Sequence, residues 1–342
     1  MPLPLRTDRL LIRMMTTADA PRFAAYRNDP EVVRYQLWNL PFTVEDAIKV
    51  LADQDDNDQM VIGSWNQLAV EADGVVVGDV CTHIDETANV AEIGYTLARE
   101  HQGHGYAREA ARALVDELFD EIGVGRVFGE LDPENVASQR VLESLGLTFE
   151  AVTKRSFLWR GEWVDNMSYA VTRDEYEAWR TRPTGAPERV ELVELDHRNA
   201  GQFARLATHK SEERFVAPVS ASYADALFPD VDNGGALVPW LRGITADGEP
   251  AGFVMTAEVS PTNPDPYLWR LLIDRRHQRR GIAKRALDQL VDRLRQEGHS
   301  TLYTSWVDGP GSPRPFYERL GFVPTGEMVE GEVEARLELT PG

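Results

Sequence analysis

The chain contains one pattern twice. The run Glu92-Ile-Gly-Tyr-Thr-Leu-Ala-Arg-Glu-His-Gln-Gly-His-Gly-Tyr-Ala107 leads into an amphipathic stretch, and so does Leu268-Trp-Arg-Leu-Leu-Ile-Asp-Arg-Arg-His-Gln-Arg-Arg-Gly-Ile-Ala283. Gln102 and Gln278 lie 176 residues apart, and three more pairs keep nearly that spacing in the same order: Gly78 with Gly252, Phe128 with Tyr303, and Gly146 with Gly321. Ordered anchors at one offset mark a duplicated domain. A length of 342 residues agrees, since a domain takes about 150. The stretch Thr181-Arg-Pro-Thr-Gly-Ala-Pro187 reads as a short, stiff linker. The expected division is therefore 1–180, a linker 181–187, and 188–342.

Each copy shows the same succession of hydrophobic periods. An early strand (RLLIRMM; RVELVEL) precedes helical segments, and a hairpin follows with Asp73-Gly74 or Asp247-Gly248 at its turn. A third strand (ANVAEIGYTL; YLWRLLI) meets the Gln-x-x-Gly-x-Ala turn and a long helix. A further strand, a short helix and edge strands close the copy. The expected fold class is α+β: two tandem domains, each a mostly antiparallel twisted sheet flanked by helices.

Composition narrows the function classes. A single cysteine, Cys81, excludes a disulfide framework and multi-cysteine metal sites. No apolar run approaches 18 residues and the N-terminus lacks a signal-peptide core, so a cytoplasmic protein without membrane partners is expected. The net charge of −20 disfavours nucleic acid and favours cationic small molecules, although an acidic surface also serves solubility alone. Residues 1–180 carry 32 acids against 17 bases, the remainder 24 against 19. The Asp53–Asp58 run departs from a calcium loop at its sixth and twelfth positions, Asp58 and Ser64, and reads as a solvated acidic loop. His101, His104 and His277 lack metal-ligand spacing. Cys81 on a hairpin strand reads as a small core residue.

The repeated turn carries the chemistry. Strand, Gln-x-x-Gly-x-Ala and helix place small residues where backbone must approach a ligand, and they expose helix N-terminal N–H groups to an anion. A pyrophosphate is the natural guest. A dinucleotide fingerprint would need glycine where Arg108 stands, and no Gly-Lys-Ser/Thr is present.

With these residues the chain resembles the GNAT acyltransferase superfamily over nearly its whole length. Thr7-Asp-Arg-Leu-Leu-Ile-Arg13, Asp132-Pro-Glu-Asn-Val-Ala-Ser138 and Arg160-Gly-Glu-Trp-Val-Asp165 make the first copy similar to the RimJ/RimL branch. Trp269-Arg-Leu-Leu-Ile-Asp274 and Phe316-Tyr-Glu-Arg-Leu-Gly-Phe322 make the second similar to polyamine acetyltransferases.

The resemblance implies acetyl-CoA as cofactor and direct attack of a primary amine on its thioester, and a small cationic metabolite or antibiotic is the expected acceptor. Two further readings stay open: one catalytic copy beside a scaffold, or an acyl-CoA-binding module without turnover. Either a monomer or a homodimer fits. The resemblance puts Gln102, Gly103, His104, Gly105, Tyr106 and Ala107 at the phosphate turn of the first copy. Gln278, Arg279, Arg280, Gly281, Ile282, Ala283 and Lys284 take that place in the second. Backbone N–H groups of Leu97 and Arg99, and of Ile273 and Arg275, are expected to hold the pantetheine arm. Asn135 matches a family asparagine on the cofactor's amide region, where the second copy has Pro310. Tyr317 is the implied acid of the second copy. In the first, Leu142 stands at that position, and Ser138 with Glu92 as base is implied instead. Leu268 falls at the position of Glu92, which leaves the second base unidentified, with Glu213 and Glu258 as candidates. The second copy, with Arg279, Arg280 and Lys284, reads as the better anion site.

Overall fold

A computed structural model describes residues 3–54, 58–229, 231–232, 235–261 and 263–339. Residues 55–57 of the acidic run lie outside this set. The chain divides into two compact units, Met1–Thr181 and Arg182–Gly342.

The first unit is an eight-stranded sheet in the order β1-β2-β3-β4-β5-β6-β8-β7. Its strands are β1 (Leu5–Arg6), β2 (Leu11–Met14), β3 (Trp65–Ala72), β4 (Val75–Ile84), β5 (Val90–Leu97), β6 (Arg126–Leu131), β7 (Thr148–Trp159) and β8 (Glu162–Thr172). Every pairing is antiparallel except β5–β6. Helices α1 (Ala20–Arg27), α2 (Pro30–Val33), α3 (Val44–Leu51), α4 (Tyr106–Glu117), α5 (Val136–Ser144) and α6 (Arg173–Arg180) accompany it. One face of the sheet packs on α4 through Ala110, Ala111, Leu114 and Val115, which recur at helical spacing. The other face carries α1 and α3, whose Phe23, Ala24, Ala47 and Leu51 form a separate cluster with Ala69.

The second unit repeats the plan with seven strands in the order β9-β12-β13-β14-β15-β17-β16. These are β9 (Val190–Val193), a two-residue ladder β10 (Val231–Asp232) and β11 (Gly235–Ala236) outside the sheet, β12 (Val238–Ala246), β13 (Glu249–Glu258), β14 (Tyr267–Ile273), β15 (Thr301–Trp306), β16 (Val323–Val329) and β17 (Glu332–Glu338). The helices are α7 (Ala200–Phe203), α8 (Val219–Leu227), α9 (Ile282–Gln296) and α10 (Arg314–Arg319). Again one pairing is parallel, β14–β15. The buried residues of α9, from Ile282 through Ala286, Leu287 and Leu290 to Leu294, keep one helical face on the sheet. Both sheets are thus mixed and mostly antiparallel, in two tandem α+β domains.

The anchors of the duplication have physical reasons. A Cβ on Gly78 would come to 2.8 Å of Leu97 Cα, and on Gly252 to 2.5 Å of Leu272 O. At both places the strand that leads into the Gln-x-x-Gly-x-Ala turn crosses too closely for a side chain. Gly146 and Gly321 end α5 and α10 with φ of 95° and 94°, where other residues are strained. Asp73-Gly74 and Asp247-Gly248 hold φ of 50°, 77°, 54° and 89°, as two-residue hairpins require.

Candidate acyl-transfer sites

The two sheets open at the same place. In the first unit β5 and β6 pair only over Val90–Glu92 with Arg126–Phe128, so beyond Glu92 they diverge into a wedge. Ala98 N–H donates to Val77 O at 2.9 Å. Hydrogen-bonded and non-bonded pairs alternate in an antiparallel ladder, so Leu97, opposite Gly78, turns its N–H away from β4 and into that wedge. In the second unit Asp274 N–H donates to Ala251 O at 2.9 Å, and the same alternation turns the Ile273 N–H toward the gap between β14 and β15.

The partners two residues on behave differently. Arg99 begins a single 3-10 turn, Arg99–His101, past the end of the strand. Arg275 N–H is spent on Ala207 O at 2.9 Å, so it is no open donor. The strand residues two positions earlier, Tyr95 and Leu271, share the wedge-facing register instead.

Each wedge leads to its turn. Gln102 Nε2 donates to Leu97 O at 3.1 Å, and Gln278 Nε2 to Ile273 O at 3.4 Å, which fixes the strand end against the turn. Gly105 and Gly281 take φ of 82° and 75° as the residues preceding α4 and α9. Nothing lies within 4 Å of where a Cβ would stand on Gly103 or Gly281. Alternating left- and right-handed residues turn successive N–H groups to one side, a concave anion site at a helix N-terminus. Tyr106 and Ala107 pack on the core beneath, and Ile282 is buried.

The basic groups are not distributed as the sequence suggests. Arg280 is buried: its Nε donates to Gly185 O at 2.8 Å and its Nη1 meets His277 Nδ1 at 2.8 Å. It secures the segment before β9 and is not free for a phosphate. Arg279 is exposed with a left-handed φ of 64°, and Lys284 pairs with Asp288 at 2.7 Å. In the first unit Arg9 reaches the turn, donating to His104 O at 3.0 Å and pairing with Glu109 at 2.5 Å. His104 itself stacks on Tyr106. The first turn therefore gains a cation from outside its own segment.

On the α5 side of the first wedge, Asn135 Oδ1 accepts from Ser138 N–H at 3.1 Å and caps the helix. Ser138 Oγ lies 2.8 Å from the hydroxyl of Tyr95. Glu92 stands on the opposite face, with Asp79, Cys81 and His83, whose cross-strand partners are Thr96, Gly94 and Glu92. Burial, and secondarily the charge of Glu130, push the Glu92 carboxyl up to about 6. Asp79 is committed elsewhere: it accepts from Tyr26 at 2.6 Å and from Gln67. Cys81 is half-buried on this face, and burial raises its thiol.

In the second wedge Tyr317 is buried, stacked on Trp306 at 5.7 Å, and hydrogen-bonded to Thr304, which donates to Leu268 O at 3.0 Å. Burial raises its hydroxyl well above the usual tyrosine value. The register of β14 then corrects the sequence alignment. A bulge at Trp269 shifts the ladder, so Tyr267, not Leu268, lies opposite Ala257. Ala257 corresponds to His83 by the Gly78–Gly252 anchor, and Tyr267 pairs with Tyr303 as Glu92 pairs with Phe128. Tyr267 is hydrogen-bonded to Ser305, whose hydroxyl donates to Glu332. The expected bases are tied up: Glu213 pairs with Lys210 at 2.6 Å, Glu258 with Arg293 at 2.6 Å. Pro310 offers a backbone carbonyl to Arg214 where Asn135 caps a helix.

Residues 9–148 match the family model described as acetyltransferase (GNAT) domain, and residues 189–322 match the acetyltransferase (GNAT) family. An uncharacterised N-acetyltransferase, p20, of Bacillus licheniformis is 32% identical over 180 residues, covering 50% of this chain and 97% of its own. The chain belongs to the GNAT acetyltransferases. Another relative, the FsC-acetyl coenzyme A-N(2)-transacetylase of Aspergillus fumigatus, is 30% identical over 43% of the chain and 67% of its own. A solved GNAT acetyltransferase of Bacillus anthracis is 27% identical, covers 50% of this chain and 99% of its own, and superposes with a TM-score of 0.44.

As a GNAT enzyme the chain uses acetyl-CoA. The residues fit that molecule in both units: a wedge-facing strand N–H for the pantetheine arm, then a left-handed glycine before a helix for the pyrophosphate. Among the described residues no group of three or more His, Cys, Asp or Glu could hold a metal ion, and no helix is long and apolar enough to cross a membrane.

Arg9, Tyr95, Tyr267, Ser305 and Glu332 are the residues that sequence reasoning missed. Arg9 had a signal in Thr7-Asp-Arg9, which marks the RimJ/RimL likeness without showing that it reaches the turn. The Tyr267 place had none, because a one-residue bulge is silent in an ungapped comparison.

Proposed function

We propose that the chain transfers acetyl from acetyl-CoA to a primary amine of a small cationic molecule. The observation that carries this reading is the placement of Glu92: half-buried at the point where β5 and β6 part, its carboxyl pushed up to about 6 by burial, and on the face of β5 opposite the one where Tyr95 meets Ser138. Acetyl-CoA, when bound, supplies the thioester. Glu92 takes the proton from the arriving ammonium, since a carboxylate of that strength is ionised at neutral pH and still basic enough for general base work. The wedge-facing N–H groups of Leu97 and Tyr95 would hold the pantetheine arm up to its thioester carbonyl, where charge builds during transfer. Ser138, held by Tyr95, donates toward the departing sulfur. Glu130 beside Glu92, and the net charge of −20, favour a cationic acceptor.

In the second unit Tyr317 takes the donor's role and Ile273 N–H that of Leu97. Similarity to the Aspergillus FsC-acetyl coenzyme A-N(2)-transacetylase supports a nitrogen acceptor.

The test is thiol release with a panel of polyamines, aminoglycosides, amino acids and peptides bearing free N-termini. The reading requires turnover with a polyamine or aminoglycoside. Reaction only with peptide N-termini or neutral amino acids contradicts the small-cation acceptor, and tight acetyl-CoA binding without any turnover contradicts transfer.

A further inference from the structure

The second unit lacks a carboxylate on the strand that faces its acceptor side, yet its wedge is bordered by a chain of hydroxyls. Tyr267 and Leu268 are consecutive, so their side chains leave β14 on opposite faces, and the same holds for Thr304 and Ser305 on β15. On one face Tyr317 bonds Thr304, which donates to Leu268 O. On the other Tyr267 bonds Ser305, which donates to Glu332 on β17. The wedge opens just beyond these residues, since among the described residues Tyr267–Tyr303 and Leu268–Thr304 are the only β14–β15 partners.

We propose that Tyr267 receives the ammonium proton in the second unit, and that Ser305 relays it to Glu332 as the terminal base. The inference rests on the reading of that unit as a transferase. Ser305 has one hydroxyl proton and gives it to Glu332, so its oxygen accepts from Tyr267. The step balances along that line. The ammonium N–H bond breaks and its proton goes to Tyr267 Oη, Tyr267's own proton passes to Ser305 Oγ, and the Ser305 proton protonates the Glu332 carboxylate. The nitrogen keeps its electron pair for the thioester. Tyr267 touches the amine and is the catalytic residue; Ser305 and Glu332 act through it.

The surroundings suit a proton acceptor. Glu334 lies two residues along β17 on the same face, and it accepts from Thr325 at 2.7 Å. Charges that reach Tyr267 are Glu332, Glu334 and, with opposite sign, Arg270. Arg270 is itself 3.5 Å from Asp225. Tyr317 feels Tyr267 and Glu332 from the far face. Glu330 occupies the turn between β16 and β17. Arg336, on the same face of β17 opposite Tyr303, pairs with Glu338 at 3.3 Å, and among the described residues no ion pair involves Glu332.

The experiment uses the full chain carrying Gly105→Glu, which closes the first cofactor turn, and the best amine found for the wild type. kcat/KM is followed from pH 6 to 10 for this background and with Tyr267→Phe, Ser305→Ala, Glu332→Gln or Glu332→Asp added. Acetyl-CoA affinity is read in parallel by calorimetry. The proposal expects Tyr267→Phe and Glu332→Gln each to lower kcat/KM about 10²-fold at pH 7. The deficit should shrink toward pH 10, where the free amine needs no base, with acetyl-CoA affinity unchanged and partial recovery in Glu332→Asp. Parallel pH profiles, or losses tracking cofactor affinity, overturn the relay while leaving transfer by this unit intact. A Gly105→Glu chain that acetylates nothing, beside an active wild type, overturns transfer by the second unit and the relay with it. Only a wild-type chain that acetylates no amine removes the broader reading of function.

Discussion

Glu92 and Tyr267 hold the same station in the two sheets. Glu92 is opposite His83 on one side and Phe128 on the other; Tyr267 is opposite Ala257 and Tyr303. The duplicated frame has thus kept the position between these partners and changed the group that occupies it, from a carboxyl to a phenol linked through a serine to a carboxylate.

In a chain whose second turn is closed by Gly281→Glu, Glu92 should set the pH dependence of transfer. The log of kcat/KM should climb with pH through about 6 and then level, because only the ionised carboxyl accepts a proton. Glu92→Gln should lower the plateau about 10²-fold or more and abolish that limb. A limb surviving in the glutamine variant assigns the titration to another group.

Stability should move the other way. The Glu92 pKa is raised in the folded chain, so its contribution is most favourable below the ordinary glutamate value and is lost as pH rises through about 6. Glu92→Gln should therefore raise Tm at pH 8 and leave it unchanged at pH 4. A lower Tm at pH 8 contradicts an unfavourable buried charge.

Tyr95→Phe removes the hydroxyl 2.8 Å from Ser138 Oγ without opening the packed core. In the Gly281→Glu chain kcat should fall several-fold with the KM for acetyl-CoA unchanged, as expected of a positioning residue. Ser138→Ala should fall further, and adding Tyr95→Phe to it should cost nothing more. Additive losses indicate independent roles.

Arg9→Ala should weaken acetyl-CoA binding to the first unit and flatten its salt dependence, since Arg9 brings the guanidinium to that turn. Arg280→Ala should instead lower Tm with no change in salt dependence, because its guanidinium is buried against Gly185 O and His277. Calorimetry at two ionic strengths separates the two cases.

Much of this was legible in the sequence because duplication leaves the same physical demands in two places. Gly78 and Gly252, or Gly105 and Gly281, recur because no other residue suits the close crossing or the left-handed turn. Two strand-like runs with Asp-Gly between them, in each copy, announced the antiparallel hairpins. Tyr267 was hidden by the Trp269 bulge, which shifts register without altering composition. The burial of Arg280 and the reach of Arg9 escape the sequence for a related reason. Whether an arginine faces a ligand or a backbone carbonyl depends on segments far away in the chain, here Gly185 and His104.

The central claim is that both copies retain a working cofactor cleft, and the number of acetyl-CoA molecules bound per chain tests it most directly. Calorimetry on cofactor-free protein should give two, falling to one in Gly105→Glu and to one in Gly281→Glu. A wild-type stoichiometry of one, abolished by only one of these substitutions, would contradict the claim and identify the other copy as scaffold.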